Sequence, residues 1–110
     1  MFLYGQVRQH LRSVLQPFTE GQRRRVAIYG TGEAAELAYL SLTELGMELV
    51  AVLDGVGADK FLGMPVQDIR EQHTVDYDLI IVATLEQPDA MVERLLSYGV
   101  PRDKIVMFQN

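Results

Sequence analysis

Hydrophobic side chains follow a helical period at the start of this chain of 110 residues. Over residues 3–16 they recur at spacings of three and four, which places them on one face of an α-helix. Pro17 ends this segment, and the polar stretch TEGQ follows as a loop. The pattern predicts an amphipathic N-terminal helix whose apolar face consists of Leu3, Val7, Leu11, Val14 and Leu15.

The apolar face of this helix needs a cover that removes it from water. The sequence allows three possibilities for what covers this face: the rest of this domain, a second copy of the chain in a homodimer, or a neighbouring segment outside the sequence. Because the periodicity changes at Arg25, we divide the chain into an N-terminal helix and linker, residues 1–24, and a folded domain, residues 25–110.

From Arg25 onward, short apolar runs alternate with segments of helical period. The runs predict five strands, at Val26–Tyr29, Glu48–Leu53, Met64–Val66, 78–84 and Lys104–Phe108. Glycines act as stop signals for two of the three predicted helices, which span Glu33–Leu45, Gln67–Gln72 and Pro88–Tyr98. The stretch GVGADKFLG, residues 55–63, is predicted as a loop.

Strands that alternate with helices predict an α/β fold in three layers, a parallel sheet between two layers of helices with right-handed crossovers. Numbered along the chain, the five strands are expected in the order 3-2-1-4-5, which opens a ligand crevice at the carboxyl ends of strands one and four. The fourth strand, DLIIVAT, is apolar without alternation, as expected for a strand covered on both faces.

Composition and charge exclude several classes of function. The chain has no cysteine, which rules out disulfides and thiolate sites. The apolar run Leu79–Ala83 is too short for a membrane span and the charged N-terminus is no signal peptide, so we expect a cytoplasmic protein without a membrane partner. Residues 1–25 carry a net charge of +4 and residues 26–110 carry −9. An acidic body disfavours nucleic acid as a partner.

The stretch VAIYGTGEAAEL, residues 26–37, reads as a strand, a glycine turn and a helix start. Gly30, Gly32 and Ala35 occupy the three fixed positions of the pattern G-x-G-x-x-G/A. The first glycine permits the tight turn, the second lets a pyrophosphate approach the backbone, and the alanine keeps helix and sheet close. Free N–H groups at the helix start favour an anion. The stretch predicts a nucleotide site, or else a turn of this shape without a ligand.

Two acids border this turn. Asp54 ends the second predicted strand, where an acid accepts hydrogen bonds from ribose hydroxyls; the alternative is a cap for the loop DGVG. Its charge would repel the 2′-phosphate of NADP and the 3′-phosphate of coenzyme A, so we expect NAD(H) or a nucleotide sugar. Glu33, in the first turn of the helix, complements the helix dipole and would also repel a phosphate bound there.

No set of residues in the sequence assembles a catalytic or metal site. A Tyr-x-x-x-Lys pair would be needed for dehydrogenase or epimerase chemistry, and neither Lys60 nor Lys104 follows a tyrosine at that spacing. His10 and His73 lack metal-ligand spacing. We therefore predict no catalytic residues and no metal ligands. We interpret Asp76 and Asp78 as solvated loop acids. The run Arg23–Arg25 is either a solvated segment or one that contacts phosphate.

Residues 24–108 resemble a Rossmann-like, CoA-binding-like domain, which is the N-terminal nucleotide-binding domain of polysaccharide-biosynthesis nucleoside-diphosphate-sugar epimerases and also occurs with sugar acetyltransferases. The resemblance rests on IYGTGEAAEL, on the acid of AVLD and on the loop ending GMPV. It implies that Gly30, Thr31 and Gly32 contact a phosphate and that Asp54 contacts a ribose or sugar ring. The same resemblance implies that the crevice is also lined by Ala83 and Thr84.

The resemblance implies a ligand-binding module, because no epimerase domain or acetyltransferase repeat is present in the sequence. We expect a non-catalytic nucleotide-recognition module linked to polysaccharide or sugar-nucleotide metabolism. One alternative is the ligand-sensing or dimerisation domain of a transcriptional regulator. A second alternative is a fragment of a sugar-nucleotide-modifying enzyme.

Overall fold

The computed structural model describes residues 2–19, 25–55, 58–84 and 87–107. The three α-helices are α1 (Phe2–Thr19), α2 (Glu33–Glu44) and α3 (Pro88–Ser97). The strands are β1 (Arg25–Tyr29), β2 (Glu48–Asp54), β3 (Ala58–Phe61), β4 (Met64–Asp68), β5 (Leu79–Val82) and β6 (Ile105–Met107). Two 3₁₀ helices span Ile69–Thr74 and Arg102–Lys104. No helix in the described ranges is long and apolar enough to cross a membrane.

The six strands form one sheet in the order β3-β4-β2-β1-β5-β6, and only the β3–β4 pair is antiparallel. The predicted order 3-2-1-4-5 numbers only five strands and lacks β3, so the observed order differs from it. Strand β3 lies in residues 55–63, and the prediction that this segment is a loop is wrong. Leu62 and Gly63, both with positive φ, form a two-residue hairpin that pairs β3 with β4 at the edge of the sheet.

Several predicted boundaries also shift. Strand β4 continues beyond Val66 to Asp68, so the short helical segment predicted at Gln67–Gln72 is a 3₁₀ helix that begins at Ile69. The side chain of Asp68 accepts a hydrogen bond from the backbone N–H of Arg70 and so caps this helix. Phe108, predicted to end the last strand, lies outside the described residues.

Apolar side chains of the strands point alternately to the two faces of the sheet. On one face, Val26, Ile28 and Ile81 pack with α1 and α2; on the other, Tyr29 and Ile80 pack with α3 and the 3₁₀ helix after β4. Every residue of β5 is buried, as its unbroken apolar run predicts. The result is a mixed α/β fold with a mostly parallel sheet between two layers of helices.

The N-terminal helix packs on the sheet and on α2. Leu11 and Leu15 are 0% exposed and belong to the core that α2, β1 and β5 share. Of the three covers that the sequence leaves open, this domain therefore covers these two leucines. The predicted end of the helix before Pro17 is wrong, because α1 continues to Thr19. Pro17 lies in the last turn and has no N–H to donate to the carbonyl four residues earlier, and the helix ends two residues after it.

Ion pairs hold the amino end of β1 to the segment before β5. The Arg25 N–H donates to the Asp78 carboxylate (3.0 Å), the Asp78 N–H donates to the Arg25 carbonyl (2.8 Å), and the guanidinium pairs with Asp76 and Asp78. The hydrogen bond to Asp76, followed by the charge of Asp76, raises the pKa of Arg25. The interpretation as a solvated loop acid is wrong for Asp78, which is partly buried and accepts the Arg25 N–H, whereas Asp76 is paired but its side chain is still 80% exposed. Arg23 and Arg24 lie outside the described residues.

We predict that replacing Ser41 with alanine stabilises the protein. Ser41 is 1% exposed, and its hydroxyl is the one buried side-chain polar atom in the described part of the chain without a hydrogen-bond partner. Removing a buried unpaired hydroxyl and gaining helix propensity should raise the free energy of unfolding by about 1 kcal/mol. Urea unfolding at unchanged m-value measures the change. Ser97→Ala is the control, since Ser97 donates to the Arg94 carbonyl (2.6 Å), and a destabilised Ser41→Ala would contradict the prediction.

Candidate functional site

The predicted glycine turn joins β1 to α2 at the carboxyl edge of the sheet. Strand β1 ends at Tyr29 and α2 begins at Glu33, with Gly32 as its N-cap. The Glu36 N–H donates to the Gly32 carbonyl (3.1 Å), the first bond of the helix. The N–H groups that precede it in the first turn have no partner within the helix and point out of its start.

Gly30 is required by the neighbouring strands. Its N–H donates to the Leu53 carbonyl of β2 (2.8 Å), and the Ala83 N–H donates to the Tyr29 carbonyl (2.9 Å), so the turn is held between β2 and β5. A Cβ at Gly30 would stand 2.8 Å from the Ala83 carbonyl oxygen, closer than real Cβ contacts come. Its φ of +130° also favours glycine. The protein itself fills the space beside Gly30.

Gly32 has different surroundings. Its φ of +143° lies in a region that side chains rarely adopt, yet no atom lies within 4 Å of a Cβ built there. The space over this backbone is therefore open at the start of α2. Close approach of a ligand to the backbone is the role that the sequence assigns to this second glycine, and the open space leaves room for it.

A hydrogen bond links the glycine turn to Asp54. The Thr31 hydroxyl donates to one carboxylate oxygen of Asp54 (2.9 Å), and the Gly55 N–H donates to the other (2.7 Å). A carboxylate offers about four lone-pair positions, so two bonds leave acceptor capacity on both oxygens. The structure thus brings the end of β2 and the turn after β1 together and fixes the orientation of the acid.

The other predicted site residues lie around the same edge. Ala35 is fully buried, where α2 packs against the sheet. Ala83 is buried directly beside Gly30, and Thr84 follows it in a half-buried position. Glu33 is exposed in the first turn of α2. All of these positions remain predicted ligand contacts.

Acidic groups dominate the carboxyl edge. Glu33 and Glu36 are both in the first turn of α2, and Asp68 of β4 is in register with Asp54 of β2. Arg70 makes two side-chain hydrogen bonds to Asp68. These bonds are the main reason that the pKa of Asp68 is lowered to about 2. Asp68 is therefore already engaged by a cation, whereas the donors to Asp54 among the described residues are the neutral Thr31 hydroxyl and Gly55 N–H.

One contact near the turn has no signal in the sequence. The Arg94 guanidinium of α3 donates to the hydroxyl of Tyr29 (3.2 Å), the buried residue that directly precedes the turn. This hydrogen bond raises the pKa of Arg94. The two residues are 65 positions apart, so no local spacing connects them. Among the described residues, no group of three or more acidic or histidine side chains is placed to hold a metal ion.

The chain matches the model of a known protein family. Residues 22–106 match the family described as C2185-like, N-terminal, and this range includes the glycine turn and Asp54. No curated protein matches the chain. Because the matched range covers most of the chain, the protein belongs to the C2185-like N-terminal domain family.

Proposed function

We propose that this chain is a Rossmann-like, non-catalytic module that recognises NAD(H) or a nucleotide sugar in sugar-nucleotide or polysaccharide metabolism. The ligand would lie across the carboxyl ends of β1, β2 and β5. Its phosphates would meet the backbone at Gly30–Gly32, and its ribose hydroxyls would donate to Asp54. The link to sugar metabolism rests on the resemblance of the turn and of the GMPV loop ending to the epimerase module.

The observation that carries this proposal is the hydrogen bond from Thr31 to Asp54 (2.9 Å). It joins the two elements that a nucleotide contacts, the phosphate turn and the ribose acid, into one arrangement. The open space over Gly32 lies beside that arrangement. A preformed acceptor next to a backbone surface suits a ligand that carries a diol close to a phosphate.

The acidic charge at the carboxyl edge of the sheet favours ligands that carry no phosphate monoester in addition to their diphosphate. Asp54 and the two glutamates of the first helical turn are all acidic, and that turn contains no basic residue. A 2′-phosphate or 3′-phosphate near Asp54 would meet like charge at short range. NAD(H) and nucleotide sugars carry only a diphosphate, whose charge the helix start accommodates.

A non-catalytic role is supported by the residues at this edge. No lysine stands four positions after a tyrosine in the sequence, so the acid–base pair of sugar-nucleotide epimerases is missing. The side chains predicted to contact the ligand are glycine, alanine, threonine and carboxylic acids, which bind and orient a nucleotide. Transfer of a hydride or proton would require a partner that supplies those groups.

Calorimetric titration of the full chain with NADH, UDP-glucose and coenzyme A tests the proposal. We expect NADH or UDP-glucose to bind at or below millimolar concentration and coenzyme A to bind more weakly. Failure of all three to bind at millimolar concentration would end the proposal. Turnover of UDP-glucose by the purified chain would instead favour the enzyme-fragment alternative.

The variant Asp54→Ala is predicted to weaken nucleotide binding. Loss of a charged hydrogen-bond acceptor should cost about 1–3 kcal/mol, or roughly 5- to 150-fold in Kd. Asp103→Ala is the matched control, since Asp103 is an exposed acid of the second 3₁₀ helix, away from the carboxyl edge. Equal affinity in the Asp54 variant and the wild type would place the ribose contact at another residue.

A further inference from the structure

A cavity lies at the amino edge of the sheet, at the opposite edge from the glycine turn. It has a volume of about 280 Å³ and lies between the 3₁₀ helix Ile69–Thr74 and the segment that connects α3 to β6. Its polar lining comes from Gln72, His73, Asp76, Tyr77, Tyr98 and Lys104. Neither the family match nor the proposed nucleotide site gives this cavity a role.

The floor of the cavity is a buried pair of polar side chains. Gln72 and Tyr77 are each 7% exposed, and the Tyr77 hydroxyl donates to the Gln72 side-chain oxygen (2.6 Å). Burial raises the pKa of Tyr77. The bond uses the amide oxygen, and the amide nitrogen, which is not among the fully buried unpaired atoms of the described residues, keeps its two hydrogens accessible. A donor therefore faces the cavity from a fixed position.

The cavity also carries a cation without a carboxylate partner. The Lys104 ammonium lies 5.4 Å from the centroid of the Tyr77 ring, and no acid of the described residues pairs with it. Asp76 is the one acid among the described lining residues, and the Arg25 guanidinium binds it. One positive charge of the lining is left uncompensated.

We propose that this cavity binds a small organic monocarboxylate, whose carboxylate lies between the Lys104 ammonium and the Gln72 amide nitrogen. A charge-assisted pair with the ammonium and a hydrogen bond from the amide satisfy a planar carboxylate. A single uncompensated cation matches a monoanion, whereas a dianion would keep an unpaired charge. The volume lies just below the roughly 300–1,000 Å³ of typical ligand pockets, so the ligand is compact.

The carboxylate site is tested by ¹⁵N NMR titration of the full chain with acetate, benzoate and inorganic phosphate. We expect saturable shifts of the Gln72 side-chain amide and of the Gly99 and Val100 backbone amides with a carboxylate. Lys104→Gln should weaken that binding about tenfold or more. Lys60→Gln is the matched control, because Lys60 is the one other lysine of the chain and lies on β3, away from this cavity.

Three results would overturn the carboxylate site. Shifts confined to residues 30–32 would assign the anion to the glycine turn. Phosphate, titrated in a buffer alkaline enough to make it a dianion, would contradict the monoanion class if it bound as tightly as the carboxylates at Gln72. Equal binding by the Lys104 and Lys60 variants, both checked for unchanged thermal unfolding, would remove the ammonium from the site. None of these outcomes depends on whether NADH binds.

Discussion

Replacing Leu15 with alanine is expected to lower the free energy of unfolding by about 2–5 kcal/mol. Leu15 is fully buried on α1 and shares one core with Ile28 of β1, Leu42 of α2 and Ile81 of β5. Removal of its branched end loses transfer free energy and leaves a cavity that three different elements would have to move to close. An effect of this size makes α1 a structural part of the domain.

Urea unfolding of the Leu15→Ala variant measures this loss. Ser13→Ala is the control on the same helix, because Ser13 is exposed and its truncation should change stability by less than about 0.5 kcal/mol. A Leu15 variant as stable as the control would mean that the domain folds without α1. Stability that rises with protein concentration would instead favour the homodimer as the cover of this helix.

The parallel strands could be predicted because burial on both faces leaves a strong local signal. All four residues of β5 are apolar and buried, so the run alone indicates the strand. Strand β3 leaves no such signal. Its residues, ADKF, show neither a continuous apolar run nor a clear alternation, and its pairing depends on the hairpin at Leu62 and Gly63. The glycines of residues 55–63 are typical of a loop, and leucine at positive φ, which the hairpin requires, is too rare to be expected.

The candidate site also has one part that could be predicted from the sequence and another that could not. The glycine turn is local in sequence, so its position between strand and helix could be predicted from residues 26–37 alone. The contacts that hold it are not local. The spacing rule places Asp54 at this turn but does not predict its hydrogen bond to Thr31, 23 positions away, and no spacing rule connects Arg94 with Tyr29, 65 positions away. Only the sheet order brings these side chains together.

Long-range pairing also explains the ion pairs that the sequence does not predict. Asp76 and Asp78 precede a strand, where acids are commonly solvated, and their partner Arg25 is more than 50 positions away. The cavity lined by Gln72 and Lys104 is assembled from two segments in the same manner. Side chains whose partners lie on distant strands therefore need the fold before a role can be assigned to them.

Gly30→Ala is expected to destabilise the protein on the order of 2–5 kcal/mol, because backbone strain and overpacking add. The new Cβ would lie 2.8 Å from the Ala83 carbonyl oxygen, a backbone atom that is fixed by β5. Gly32→Ala is the matched variant in the same turn. It meets no atom within 4 Å, so it should cost only backbone strain, about 1–3 kcal/mol. Thermal unfolding of both variants measures the difference.

Comparison of the two glycine variants therefore distinguishes a role in the fold from a role in ligand binding. If a nucleotide occupies the open space over Gly32, then Gly32→Ala keeps a folded protein yet weakens NADH or UDP-glucose binding, because its methyl group enters that space. Gly30→Ala loses stability whether or not a ligand exists, since its clash is with Ala83. A Gly32 variant that is folded and binds as tightly as the wild type would show that no ligand approaches this backbone. The glycine turn would then serve only to join β1 to α2.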